Sequence, residues 1–217
     1  MATLATLRSL VSNIVQDSSF DNTDIDGYLN RGVSEIAGGL QSTLGSFITP
    51  SLPELFSIST VTTDTSLASV SMPATYHRNL QFVSNSSGQE IEIYNSMIEF
   101  AEDYPLMDGS GSVKSVVVQG NTLYYQDIPT VAETLTLHFY RLPVDMSASD
   151  GTPDGIPLHL QVPLLVNYAG WQIFQLIEDG MEGQGVNTIR YKTFFNEALR
   201  TLELSIPFDA RSLYLGD

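Results

Sequence analysis

Cysteine is absent from all 217 residues, which excludes disulfides, thiolate nucleophiles and thiolate metal sites together and fits synthesis in a reducing compartment. Cations are scarce: nine Lys and Arg stand against 25 Asp and Glu, a formal charge of -16. A chain built to grip phosphates by counterion release needs the opposite balance, so DNA is expected to pass this protein without sticking to it. Histidine is also sparse. His77, His138 and His159 lie far apart, and none sits in a His-x-x-x-His or His-Glu-x-x-His spacing, so each reads as a surface or structural side chain rather than a metal ligand. Long apolar runs are missing as well. The most apolar window, Val162 to Ile177, is interrupted by Asn167, Gln172 and Gln175 and falls short of the ~20 residues a membrane span needs. The first ten residues alternate polar and apolar with no basic region ahead of an apolar one, so a soluble protein without a signal peptide is expected.

The hydrophobic periodicity that is present divides the chain in three. Leu4, Leu7, Val11 and Ile14 form one stripe of a first helix ending near Gln16. Thr23 and Asp26 have capping-box spacing and predict the start of a second helix, with Ile25, Tyr28, Leu29, Ile36 and Leu40 on its apolar face and an Arg31–Glu35 pair outside it. From Leu55 to Arg141 the period falls to two. Phe56–Val61, Gln89–Tyr94, Ser112–Val118, Thr122–Tyr125 and Thr134–Tyr140 read as strands, with a hairpin turn at Gln119-Gly-Asn121 and one short helix at Met97–Glu102 capped by Asn95-Ser96 and stopped by Pro105. Met146 to Gly155 reads as a crossing loop. A third helix, dense in apolar residues from Leu164 to Ile177, is expected to be the most buried. A glycine-containing loop from Gly180 to Gly185 then leads to a fourth helix capped by Asn187, carrying Tyr191, Phe194, Phe195, Ala198 and Leu202 and ended by Ile206-Pro207. The expected fold is therefore α+β: N- and C-terminal helix pairs (1–50 and 146–204) form one helical bundle around an inserted antiparallel, sandwich-like β region (51–145), with a tail at 205–217. Leu7, Val11, Ile36, Leu165, Trp171, Phe174 and Leu202 are its predicted bundle core.

Motifs that could carry chemistry are incomplete. Asn22-Thr-Asp-Ile-Asp-Gly27 matches the first half of an EF-hand loop, but Val33 stands where the bidentate glutamate belongs, and a helix cap accounts for the acids. Gly180-Met-Glu-Gly-Gln-Gly185 joins two helices, whereas nucleotide-binding glycines follow a strand. Gly109-Ser-Gly-Ser112 is not a nucleophile elbow and reads as a flexible loop. Glu99, Glu102 and Asp103 read as a solvated acidic face rather than paired glycosidase carboxylates, and Asn85-Ser-Ser87 as a turn. No catalytic, cofactor or metal residues are assigned, and an enzyme is not expected. Tyr124-Tyr125 alternate faces, too few aromatics for a carbohydrate-binding module.

Several segments together resemble the head-to-tail adaptor (connector) proteins of tailed bacteriophages. They are Asp24-Ile-Asp-Gly-Tyr-Leu-Asn-Arg-Gly-Val-Ser-Glu-Ile36, Ser96-Met-Ile-Glu-Phe100, Asp103-Tyr-Pro105, Gly120-Asn-Thr-Leu-Tyr124, Leu137-His-Phe-Tyr-Arg-Leu-Pro143, Ile156-Pro157 and Phe194-Phe-Asn-Glu-Ala-Leu199. The resemblance implies a noncatalytic virion protein, assembled in the host cytoplasm, whose helical bundle holds neighbouring subunits in a ring. That ring, of about twelve subunits, would join the portal protein to a tail or nozzle protein and leave a conduit for genome ejection. It also implies a C-terminal extension that docks on the portal, for which Phe208, Arg211, Leu213, Tyr214 and Leu215 are the candidates. Glu99, Glu102, Asp103, Asp150 and Asp154 are candidates for the channel lining. A tail tube or nozzle component is the alternative role.

Overall fold

The computed structural model describes residues 2–39, 52–179 and 185–206. Two compact units emerge: Met1–Leu55 with Pro143–Asp217, and Phe56–Leu142.

The first unit is helical. Helices α1 (Leu4–Val15) and α2 (Asn22–Gly38) come from the N-terminal part of the chain, and α4 (Gln161–Ile177) and α5 (Val186–Ser205) from the C-terminal part; α3 belongs to the other unit. Helix α1 buries Leu4, Leu7, Val11 and Val15, so Val15 rather than Ile14 closes its stripe. Helix α2 starts two residues earlier than Thr23 suggests. Asp21 is the N-cap, its carboxylate accepting from the Thr23 and Asp24 amides (2.7 and 3.0 Å), while Asp24 reaches back to the Asp21 amide (3.1 Å). The capping box is therefore Asp21–Asp24, and Asp26 is released to take the Arg8 guanidinium in a two-bond clamp between α1 and α2. The expected Arg31–Glu35 pair is present at 2.7 Å. Helix α2 ends at Gly38, with Gly39 in the left-handed region at φ 91°. Leu40 lies outside the described residues.

Helix α4 packs against α1, α2 and α5 and buries nine of its 17 residues, more than any other helix. Two glycines set its approach to its neighbours. A Cβ on Gly32 of α2 would sit 2.8 Å from the Tyr168 ring, and one on Gly170 would sit 3.3 Å from the Tyr191 ring of α5. Leu7, Val11, Ile36, Leu165, Phe174 and Leu202 are all buried as expected. Trp171 is not: it is only half-buried, stacked on Phe195 with ring centroids 5.9 Å apart, and Phe195 with Tyr168 fills the position the Trp was expected to hold. The start of α5 also differs. Asn187 lies inside the helix, and the cap is supplied from α4's end by Glu178, whose carboxylate accepts from the Asn187 and Thr188 amides (3.1 and 2.9 Å) and the Thr188 hydroxyl (2.7 Å). These bonds hold the Glu178 carboxyl below its ordinary pKa, the Thr188 hydroxyl bond contributing most. The loop before α4 is tied in by Asn30, whose amide donates to the Met146 carbonyl (3.1 Å) and accepts from the Met146 amide (2.9 Å).

The second unit is the β region. One sheet is antiparallel, in the order β1 (Phe56–Thr62), β9 (Thr134–Arg141), β3 (Tyr76–Ser84). The other runs β2 (Ser69–Ser71), β7 (Thr122–Tyr125), β6 (Ser115–Gln119), β4 (Glu92–Tyr94), and β5 (Gly109–Ser110) pairs with β8 (Asp127–Ile128). The all-antiparallel expectation is corrected here, because β4–β6 and β5–β8 are parallel. Leu135, Leu137 and Phe139 of β9 and Val83 of β3 share one core with Val116 of β6 and Leu123 and Tyr125 of β7, the arrangement of a sandwich.

Two predicted strands are shorter than their periodicity suggests. Within Gln89–Tyr94, Ile91 still donates to Val83 beside the first sheet (2.9 Å), while Glu92 onward pairs with β6 in the second, so one alternating run turns the corner between sheets. In Ser112–Val118, the buried Gln126 amide takes the place of a strand neighbour. It accepts from the Lys114 and Ser115 amides (3.1 and 3.0 Å) and donates to the Ser112 carbonyl (2.8 Å). The 120–121 turn is as expected, with Gly120 at φ 62°.

Candidate assembly surfaces

Three of the proposed channel residues ride on α3 (Met97–Asp103), in the β unit. Ser96 caps this helix, accepting from the Glu99 amide at 3.2 Å. Phe100 is fully buried between the Tyr94 and Tyr104 rings, 5.2 Å from each, and this anchoring turns Glu99, Glu102 and Asp103 to the exposed side. Asp103 accepts a 2.7 Å bond from the Tyr94 hydroxyl, and that bond to a carboxylate drives the Tyr94 phenol pKa upward. Asp150 and Asp154 belong to the helical unit, in the loop between residues 145 and 157. Asp150 is exposed, and Asp154 accepts from the Val144 amide at 2.8 Å. The same loop caps α1, with the Gly151 and Ser149 carbonyls accepting from the Leu4 and Ala5 amides (2.8 and 3.0 Å).

Among the described residues, Arg8 pairs with Asp26 and Arg31 with Glu35. No group of three metal-ligating side chains comes together among those residues. The half-buried His77 has its pKa lowered by burial and by the neighbouring Arg78, while His138 packs edge-on to Phe56 and Phe82. The Asn22–Gly27 segment is helical, with its acids engaged as caps and clamp. Gly109 and Gly111 are not simply a flexible loop. Each leaves room for the Asp127 carboxylate, which a Cβ at Gly109 would overlap. Asn85 forms a turn, its side-chain oxygen accepting from the Ser87 and Gln89 amides (3.0 Å each).

The portal-docking candidates Phe208, Arg211, Leu213, Tyr214 and Leu215 lie outside the described residues. A surface that sequence reasoning missed lies on α5. Phe194 and Phe195 were both expected on this helix with neither assigned to the core, and adjacent helical residues point about 100° apart. Phe195 takes the inward position and Phe194 is 39% exposed. The adjacency of the two rings was the available signal.

A comparison with curated proteins found no match. Residues 2–212 match the family model described as SU10 adaptor protein. The α+β architecture, with a mixed β region between the N- and C-terminal helices in sequence, accords with that match over nearly the whole sequence, and the chain belongs to this family of head-to-tail adaptors of tailed bacteriophages.

Proposed function

We propose that the protein assembles as a closed ring of identical subunits, of about twelve by the requirement to match a cyclic portal, seated between the portal and a tail or nozzle protein and leaving a conduit for the genome. The observation that carries this reading is the adaptor-family match across residues 2–212. The N- and C-terminal helix pairs (1–50 and 146–204) hold the ring, the β region (51–145) is available to the tail side, and the 205–217 tail anchors the portal through Phe208, Arg211, Leu213, Tyr214 and Leu215.

Charge supports the conduit. Duplex DNA carries one negative charge per ~1.7 Å of axis, and repulsion from wall carboxylates is screened beyond ~8 Å at physiological salt. Acids such as Glu99, Glu102, Asp103, Asp150 and Asp154 therefore act only on DNA that approaches the wall, keeping it off the surface without blocking the lumen. Electron microscopy of the full chain mixed with portal protein tests the ring: end-on rings attached to portal are expected, and failure to form any complex refutes the reading. Filter binding at low salt tests the channel. Submicromolar affinity for duplex DNA contradicts the electrostatic argument.

A further inference from the structure

Helix α5 is apolar on two faces. Its inner face buries Phe195, Ala198, Leu199 and Leu202, yet Ile189 and Phe194 point outward, 58% and 39% exposed. A helix that is apolar on more than one face ordinarily has more than one partner. The charge on the first half of this helix is also out of keeping with the rest of the molecule, with Arg190 on the outer face and Lys192 on the opposite flank beside Trp171. Val186 to Asn196 contains Arg190 and Lys192 and no acid, in a chain of charge -16. Neither cation is in an ion pair among the described residues. Both lie over rings instead. The Arg190 guanidinium sits 5.6 Å from the Phe194 centroid and 5.9 Å from that of Tyr191, and the Lys192 ammonium sits 5.2 Å from that of Trp171.

These rings are anchored from below. Tyr191 stacks on Phe174 at 5.3 Å with planes 6° apart, and Trp171 stacks on Phe195, so the surface aromatics continue the buried stack of α4 and α5. An exposed Arg beside half-buried Tyr and Trp rings held by packing is the composition that dominates binding energy at protein interfaces, because little rotamer freedom remains to be lost on contact.

We propose that this α5 face, Ile189, Arg190 and Phe194 backed by Tyr191, is one half of the contact between neighbouring copies of this chain, and that it docks on an acidic surface of the next copy. The inference rests on the ring reading above. Charge complementarity selects the occupant: with 25 acids against nine Lys and Arg, a second copy presents carboxylates, with which neither Arg190 nor Lys192 pairs among the described residues of its own subunit. Complementarity also bears on the symmetry. A two-fold contact made by this face alone would bring together two segments that carry cations and no acid between Val186 and Asn196, which is unfavourable. A contact with a different, acidic surface avoids this, and heterologous contacts whose rotation closes form rings.

The test compares the full-length protein with Arg190→Glu, Phe194→Ser and the conservative Arg190→Lys, each alone and mixed with portal protein, by sedimentation velocity and electron microscopy. Thermal melts show whether each variant folds, and the exposed Arg190 keeps the charge reversal informative if Phe194→Ser proves unstable. Arg190→Glu and Phe194→Ser are expected to melt near the wild-type temperature yet need about tenfold or more protein to close rings, as expected for hot-spot losses. Arg190→Lys should lose less, and raised salt should weaken wild-type assembly more than Arg190→Glu assembly. Rings of normal subunit number and concentration dependence from Arg190→Glu overturn the interface while leaving the ring reading intact. Normal contacts between subunits with lost portal binding assign the face to the portal, and so also overturn it. If wild-type protein forms no ring even with portal, the ring reading fails and this inference with it.

Discussion

Replacing Gly27 and Gly32 by alanine, one at a time, tests the helical unit with an internal control, because both glycines lie in α2, five positions apart. In a helix interior alanine is favoured over glycine by about 0.8–1.0 kcal/mol. At Gly27 a new Cβ meets nothing within 4 Å, so that gain stands in full. For a chain of this size it raises Tm by about 2–4 °C. At Gly32 the same Cβ meets Cδ1 and Cγ of Tyr168 at 2.8 and 3.2 Å and Cδ2 of Leu165 at 3.3 Å. Tyr168 and Leu165 are fully buried, and the ring cannot move aside without displacing Phe195 or Trp171, which it contacts edge-on. Overpacking of this kind costs about 1–3 kcal/mol, which offsets the propensity gain and leaves a net loss of up to about 2 kcal/mol, or a fall of up to about 8 °C. The two variants should thus move Tm in opposite directions. Trp171, the single tryptophan, lies on α4 in the same unit, so its fluorescence during thermal or urea unfolding follows the transition that matters. If Gly32→Ala stabilises as much as Gly27→Ala does, α2 does not approach α4 at this point and the packing described here is wrong.

Tyr168→Phe should leave stability unchanged or raise it. The buried hydroxyl meets no partner at good hydrogen-bond geometry among the described residues, and burial together with the approach of the Glu35 carboxylate pushes its pKa upward, so a loss above ~1 kcal/mol in urea titration would show that it donates to Glu35 after all. Phe195→Ala should cost about 3–5 kcal/mol as a fully buried ring, and more than Trp171→Ala, whose ring is half-exposed; the reverse order in circular-dichroism melts would restore Trp171 to the core. Glu178→Ala should cost about 1 kcal/mol, as loss of an N-cap does. Because the folded-state pKa of Glu178 is depressed below 4.5, its contribution is fully present above that value and is lost as pH falls through the lower one. The Tm gap between wild type and Glu178→Gln should accordingly be constant near neutral pH and close in acid, and a gap that widens in acid would contradict the capping role.

The parts legible in the sequence are those set by the nearest few residues. Helix stripes, the Arg31–Glu35 pair, the Ser96 cap and the Gly120 turn depend on spacings of three or four positions or on one backbone conformation, and each is present. The family resemblance belongs with them, because it too rests on contiguous segments. The Asp21 cap was displaced from its expected place because three acids and a threonine compete for it at adjacent positions. The choice is decided by Arg8, distant in sequence, which draws Asp26 away. The Glu178 cap was hidden for the same reason: the capping group lies on a different helix from the amides it serves.

Length and pattern thus determined a helix–sheet–helix chain, and composition determined its acidity and its want of thiolate chemistry. Tertiary structure decided which of two adjacent phenylalanines faces inward, whether Trp171 belongs to the core or to the surface, and that Gly109 and Gly111 make space for Asp127. It also divided one alternating run between two sheets. The physical reason is common to these cases. Periodicity records that a side chain is apolar and how it is phased, whereas burial depends on which neighbour arrives to cover it, and that neighbour comes from elsewhere in the chain.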